Sequence, residues 1–259
     1  MECFDFFIKD TFYHYQRFLN SLNIEKFPIG SYESKLDACK FASSISSFIE
    51  YLFIDNRELV KSKYSVSGQG KFKEALFKRS FSIGEKKVSG KFLKYTFDIA
   101  NAYKHKKIDR HNPLVSDIEQ VCESILIIVN KDSEGSYYAI DKGIKVTDNL
   151  GREHNLEIVL RVSFDIIAII AKEFSVITEI PSVSYSKKFK LSRDESNNTY
   201  QFKSTFFEAL SGTKVTLSAL IQVFDENEIY SLRHRRKNEP VNLKLSFPVK
   251  IEVNPLLSL

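Results

Sequence analysis

Tryptophan is absent from this chain of 259 residues and methionine occurs once, against 22 phenylalanines and 12 tyrosines. The core must be built largely from Phe, Ile and Leu, and the excess of Phe is read as packing, not as a ligand cage. Cysteine is scarce too: Cys3, Cys39 and Cys122 are odd in number, widely spaced and set among apolar residues. That argues against a disulfide framework or a cysteine zinc site and points to buried thiols in a reducing compartment. Long apolar runs are missing. The longest, Ile166-Ile167-Ala168-Ile169-Ile170-Ala171, is closed by Asp165 and Lys172, far short of the roughly 20 residues that a bilayer crossing takes. Met1-Glu2-Cys3-Phe4-Asp5 has neither the cationic start nor the cleavage site of an export signal. A cytoplasmic protein with no membrane partner is therefore expected.

Site motifs are equally scarce. Ser67-Gly68-Gln69-Gly70-Lys71 and the stretch from Gly84 to Gly90-Lys91 both lack the Ser or Thr that follows the lysine of a phosphate loop, and neither follows a convincing strand. Glu85-Lys86-Lys87 has the Glu-x-Lys spacing of one nuclease class, yet no preceding acid is placed to share a metal. No acid or thiol near His105 or His111 completes a zinc site. His14, His154 and His234 stand apart and read as surface or hydrogen-bond-satisfied residues. No Ser or Cys occupies a nucleophile elbow. Neither a metal nor a cofactor is expected.

What the chain does have is a full-sized core and a lopsided charge. Its 43% hydrophobic and 27% charged residues are those of a globular protein. From Lys61 to Arg110 there are 14 Lys and Arg against four Asp and Glu, a surplus of ten on a chain of net charge +5, so the remainder carries −5. A basic block on a slightly acidic body is the footprint of polyanion binding; a solvated lysine face gives the same count. A denser cluster, Arg233-His234-Arg235-Arg236-Lys237, fits a solvated hairpin tip or a phosphate grip.

Apolar spacing predicts an α+β protein. Phe7, Thr11, Tyr15, Phe18 and Leu22 recur at helical intervals and mark a first helix. Leu36, Cys39, Ala42, Ile45, Ile49 and Leu52 do the same for a second, over 32–53. A Ser/Gly-rich loop over 63–70, a third helix over 71–81 and a fourth over 89–107 follow, the last ending before Asn112-Pro113. Residues 121–129 and 137–146 read as a hairpin with a loop of about five residues, and 152–174 as another helix. Beyond Pro181 the alternation of Tyr200/Phe202, Val215 to Val223 and Leu243 to Val253 predicts roughly four or five antiparallel strands. The expected organisation is a helical bundle over 1–115, a small αβ segment over 116–180 and a C-terminal antiparallel β-sheet domain over 181–259.

Ala100-Asn101-Ala102-Tyr103-Lys104-His105 closes the fourth predicted helix inside the basic block. Asn101 and His105 are one helical turn apart and share a face. A four-helix unit whose last helix ends in Asn-x-x-x-His resembles the HEPN superfamily of helical RNA-processing and toxin domains, here over residues 1–115. The signature of that superfamily is an Arg, usually followed by a polar residue, with a His about a helical turn later. Asn101 matches the polar residue and His105 the histidine, but Ala100 stands where the arginine belongs. The resemblance implies metal-free RNA cleavage in which the ribose 2′-hydroxyl attacks its own phosphate. Histidine moves the proton, and a guanidinium stabilises charge on the phosphoryl oxygens. Loss of such a preorganised charge stabiliser typically raises the barrier by about 2.7–4 kcal/mol, and alanine cannot replace it. Lys106, Lys107 or Arg110 folding back, or a cation supplied across a dimer, would restore it.

The function expected is therefore non-catalytic: RNA or nucleotide binding, or protein interaction, with the resemblance implying a bacterial toxin or defence setting. Candidate nucleic-acid contacts are Lys91, Lys94, Lys104, Lys106, Lys107, Arg110, Arg235 and Arg236. If the protein is instead a metal-independent endoribonuclease, His105 and Asn101 are its catalytic pair. A structural subunit is a third expectation, with a protein partner or a homodimer packing on the long apolar face of residues 32–53. Lys and His in a last helical turn also offset its negative end by about 0.3–1 kcal/mol each, with no ligand involved.

Overall fold

A computed structural model describes residues 3–23, 32–108, 112–132, 135–181, 183, 190–193, 199–200, 217–224, 230–234 and 244–245. Helix and strand are mixed. The N-terminal run passes from α1 (Cys3–Phe6) through a π-helical stretch (Phe7–Phe12) into α2 (Tyr13–Ser21). Phe6 and Tyr13 keep right-handed helical angles at the two junctions, so the run is unbroken. It buries Phe7, Thr11, Tyr15 and Phe18, the stripe read from the sequence. α3 (Glu33–Asp55) lies within two residues of its expected bounds. Ala38, Phe41, Ala42, Ile45, Phe48, Ile49 and Leu52 along it are fully buried. Helices of the same chain pack on α3, so this face is not the surface that a structural-subunit reading requires.

α4 (Arg57–Tyr64) follows at once, and α5 (Gln69–Lys78) opens on Gly68, which makes the first glycine–lysine patch a helix start. The third predicted helix stops short of residue 81. Arg79 turns to extended angles (φ −75°, ψ 147°), and β1 (Ser80–Ile83) pairs antiparallel with β2 (Lys86–Ser89) across a turn with Gly84 at φ 56°. Glycine suits that turn because the left-handed angle crowds a Cβ. Only Phe81, Ile83 and Val88 carry the alternation, too short a signal to separate from a helix end. Gly90 then seats α6 (Lys91–His105) hard against α5, since a Cβ there would lie 1.9 Å from the Leu76 carbonyl oxygen.

β3 (Val121–Asp132) and β4 (Gly135–Thr147) form the expected hairpin, but the ladder runs on until Asp132 faces Gly135, so the connection is tighter than predicted. β5 (Glu153–Asn155) pairs with the far end of β4 and delays α7 (Leu156–Glu173), whose first turn is capped by Asn155 Oδ1 accepting from the Ile158 N–H. β6 (Lys190–Arg193), β7 (Thr199–Tyr200), β8 (Leu217–Phe224), β9 (Tyr230–His234) and β10 (Lys244–Leu245) follow. The expectation of a wholly antiparallel C-terminal sheet is corrected. β8 runs parallel to β3, with Leu217 opposite Ile125, and β10 runs parallel to β7. The main sheet has the order β5-β4-β3-β8-β9, with β6 also on β4. Period-two alternation marks a strand but carries neither its direction nor its neighbour. A parallel neighbour needs a crossover, and the chain between β3 and β8 includes α7.

α7 packs on α3, α6 and β4. Its Phe164 ring lies 4.1 Å from Tyr15, 6.0 Å from Phe7 and 6.2 Å from Phe41, measured between centroids. One core therefore runs through the helices before residue 115 and the helix after it. Among the described residues, no helix is long and apolar enough to cross a membrane.

Candidate nucleic-acid interface

α6 is enclosed over most of its length: Leu93, Tyr95, Thr96, Phe97, Asp98, Ile99, Ala100 and Ala102 are all buried. At about 100° per residue, one strip of this helix is left to Lys91, Lys94, Asn101 and His105. The last turn breaks out of the fold. Asn101, Tyr103, Lys104 and His105 are exposed around three of its sides, Tyr103 to 40%. Lys106, at φ 64°, ends the helix and turns the chain back. The Lys107 N–H donates to the His105 carbonyl at 2.7 Å, which satisfies one of the acceptors that a helix end leaves open. The Ile108 N–H donates to Ser116 O at 2.7 Å and the Ile118 N–H to Lys106 O at 3.3 Å. Asp98 fastens the returning segment, its Oδ2 accepting from the Leu114 N–H at 2.7 Å and Lys94 Nζ at 3.0 Å. Burial pushes the Asp98 carboxyl up, and those two donors oppose it. The backbone carrying Lys106 and Lys107 is thereby held in place.

Charge within the basic block is redistributed by the fold. Lys61 pairs with Glu58, Lys63 and Arg79 with Glu173, Lys71 with Glu74, Lys73 with Glu50, and Lys94 with Asp98. Lys78, Lys86, Lys87 and Lys91, around the β1–β2 hairpin, have no carboxylate partner among the described residues. The same holds for Lys104, Lys106 and Lys107 at the end of α6. The side chains of Asn101, Tyr103 and His105 also make no hydrogen bond, ion pair or ring contact with any described residue.

The residues nominated from the sequence therefore separate. Asn101, Lys104, His105, Lys106 and Lys107 come together at one projecting end. Lys91 begins the same helix, about 21 Å away at 1.5 Å per residue. Lys94 is neutralised by Asp98. Arg110, Arg235 and Arg236 lie outside the described residues. Ala100, where the HEPN resemblance places its arginine, is 5% exposed and part of the core.

A second polar cluster escaped the sequence reading. Between β4 and β5, Asp148 is 3% exposed, and its Oδ1 accepts from the backbone N–H of Leu150 (2.9 Å) and Arg152 (3.0 Å). Its Oδ2 accepts from the Tyr95 hydroxyl (2.9 Å) and from Arg152 Nε (2.8 Å) and Nη2 (2.6 Å), and lies 3.3 Å from His154 Nε2. His154 Nε2 is also 2.9 Å from the Tyr95 hydroxyl. Burial alone would raise the Asp148 carboxyl, but the Arg152 side chain and N–H, with Tyr95 and His154, hold it well below the usual carboxylate range. Burial pushes the Tyr95 hydroxyl up to about 12. These groups partner one another, so the cluster is a clamp between α6 and the β4–β5 turn, and His154 is hydrogen-bond-satisfied. Asp148-Asn149-Leu150-Gly151 is a legible turn signal; that Tyr95 closes on it depends on the tertiary fold.

Among the described residues, no group of His, Cys, Asp or Glu side chains is arranged to hold a metal ion. No protein-family model, no curated protein and no solved structure matches the chain.

Proposed function

We propose that this protein binds RNA through the projecting end of α6 and does not cut it. The observation that carries this reading is the set of three lysines, Lys104, Lys106 and Lys107, that have no carboxylate partner among the described residues and stand on a fixed and exposed backbone turn. A helix C-terminus carries roughly half a negative charge, which by itself repels phosphate; three ammonium groups outweigh it. In a single strand each neutralised phosphate contributes about −0.7 to the slope of log affinity against log salt. Replacing all three lysines by alanine should therefore weaken RNA binding at low salt and flatten that slope by about 2. Unchanged affinity and slope in the triple variant would remove this end of α6 as the binding surface.

A metal-independent endoribonuclease is the second reading, favoured by Asn101 and His105 sharing one exposed face. It needs a cation that Ala100 does not provide from within the core. RNA incubated with concentrated protein in EDTA should stay intact. Cleavage that disappears in His105→Ala would replace the binding reading with the catalytic one. A bacterial defence or toxin setting remains a proposal attached to the HEPN resemblance alone, and the binding reading does not depend on it.

A further inference from the structure

Resting on that RNA-binding reading, we infer that the ligand is single-stranded and that one of its bases stacks on Tyr103. Tyr103, like Tyr32, is exposed without a ring neighbour among the described residues, whereas the exposed Tyr13 and Tyr51 each have one. Tyr51 lies 4.6 Å from Phe6 and Tyr13 lies 5.3 Å from His14, centroid to centroid. Tyr103 as a residue is 40% exposed, and no described residue stacks on its ring or bonds to its hydroxyl. A single exposed aromatic is ordinary on a protein surface. What sets this one apart is its place directly before Lys104, Lys106 and Lys107, which have no carboxylate partner among the described residues, because an exposed aromatic beside cations is the combination that holds single strands.

The shape of the helix end makes the same choice. At about 100° per residue, Tyr103 lies about 160° around α6 from both Asn101 and His105, with Lys104 between them on one side. A ligand that meets both sides must bend around a projection about 10–12 Å across. A duplex, stiff over about 50 nm, meets one side only and offers no free base face. A single strand bends freely at that scale and brings phosphates to Lys104, Lys106 and Lys107 while a base covers the ring. An acidic peptide would satisfy the lysines and leave the ring without a partner.

The missing tryptophan supplies the test. Because the chain has none, Tyr103→Trp places a unique indole at the helix end. Its fluorescence should be quenched by a single-stranded oligoadenylate RNA, and not by the same RNA as a duplex or by inorganic polyphosphate at equal phosphate concentration. Tyr103→Ala should weaken single-strand binding about 5- to 150-fold, the range for one stacked base, and leave polyphosphate binding unchanged. Tyr103→Phe, which keeps the ring face, should bind as the native protein does. Equal binding of all three ligands, without quenching and without loss in Tyr103→Ala, overturns the stacking inference and leaves lysine-mediated binding standing. If neither RNA form nor polyphosphate binds, both readings fall; binding of polyglutamate alone would assign the surface to an acidic protein.

Discussion

Asp148 shows how much of this molecule turns on individual side chains. Its carboxylate takes backbone N–H groups on one oxygen, and Tyr95, Arg152 and His154 on the other. Those donors favour the ionised form, so the folded chain holds Asp148 below the value of about 3.9 it has when unfolded. A depressed carboxylate adds stability that is complete above the unfolded value and is lost as pH falls below it. Asp98, pushed up by burial, acts in the opposite sense, so the two must be separated by substitution. Asp148→Asn should cost about 1–2 kcal/mol near neutral pH, towards the lower end for a charged hydrogen bond because Arg152 is half-exposed. Urea denaturation between about pH 5 and about pH 3 should then fall less steeply in the variant than in the native chain. Parallel curves would mean that the clamp does not discriminate between the two protonation states.

Among the elements, the α5–hairpin–α6 junction leaves no room for a side chain at Gly90. A Cβ on Gly90 would lie 1.9 Å from Leu76 O and 2.9 Å from Arg79 O, both backbone atoms that no rotamer change can move. Gly90→Ala should destabilise the fold by about 1–3 kcal/mol, the usual range for overpacking, read as a lowered thermal midpoint. An unchanged midpoint would place α5 and α6 further apart. The same region shows which elements a sequence displays. α3 and α7 carry long apolar stripes at helical spacing, and those are legible. β1 and β2 have four residues each, and their alternation is too brief to stand out. The candidate interface divides in the same way. That Asn101 and His105 share a face follows from spacing alone, and Lys94 meets Asp98 within one turn. That Lys73 reaches Glu50, and Arg79 reaches Glu173, depends on contacts between segments far apart in the chain. Which lysines have no carboxylate partner among the described residues follows only once those partners are placed.

On the scale of the whole molecule, α6 is held by parts of the chain on both sides of residue 115. Phe164 of α7 packs against Phe7, Phe12, Tyr15 and Phe41, and Leu160, Ile166, Ile167 and Ile170 beside it are fully buried. Phe164→Ala alone should cost about 3–5 kcal/mol, a large part of the roughly 5–15 kcal/mol that separates a folded domain from its unfolded chain. Removing all of α7 would take away several such residues at once, together with Ser163, whose hydroxyl lies 2.7 Å from that of Thr96 in α6. Ending the chain at residue 115 would also take away Asp148 and His154, which clamp α6 through Tyr95. A fragment of residues 1–115 should therefore retain helical propensity without a fixed fold. Its far-UV circular dichroism should show partial helix that melts without a cooperative transition, and its affinity for RNA should fall below that of the full chain. A cooperative melt in that fragment, with RNA binding intact, would show that the first helices form a core of their own and that α6 holds its end in place without α7.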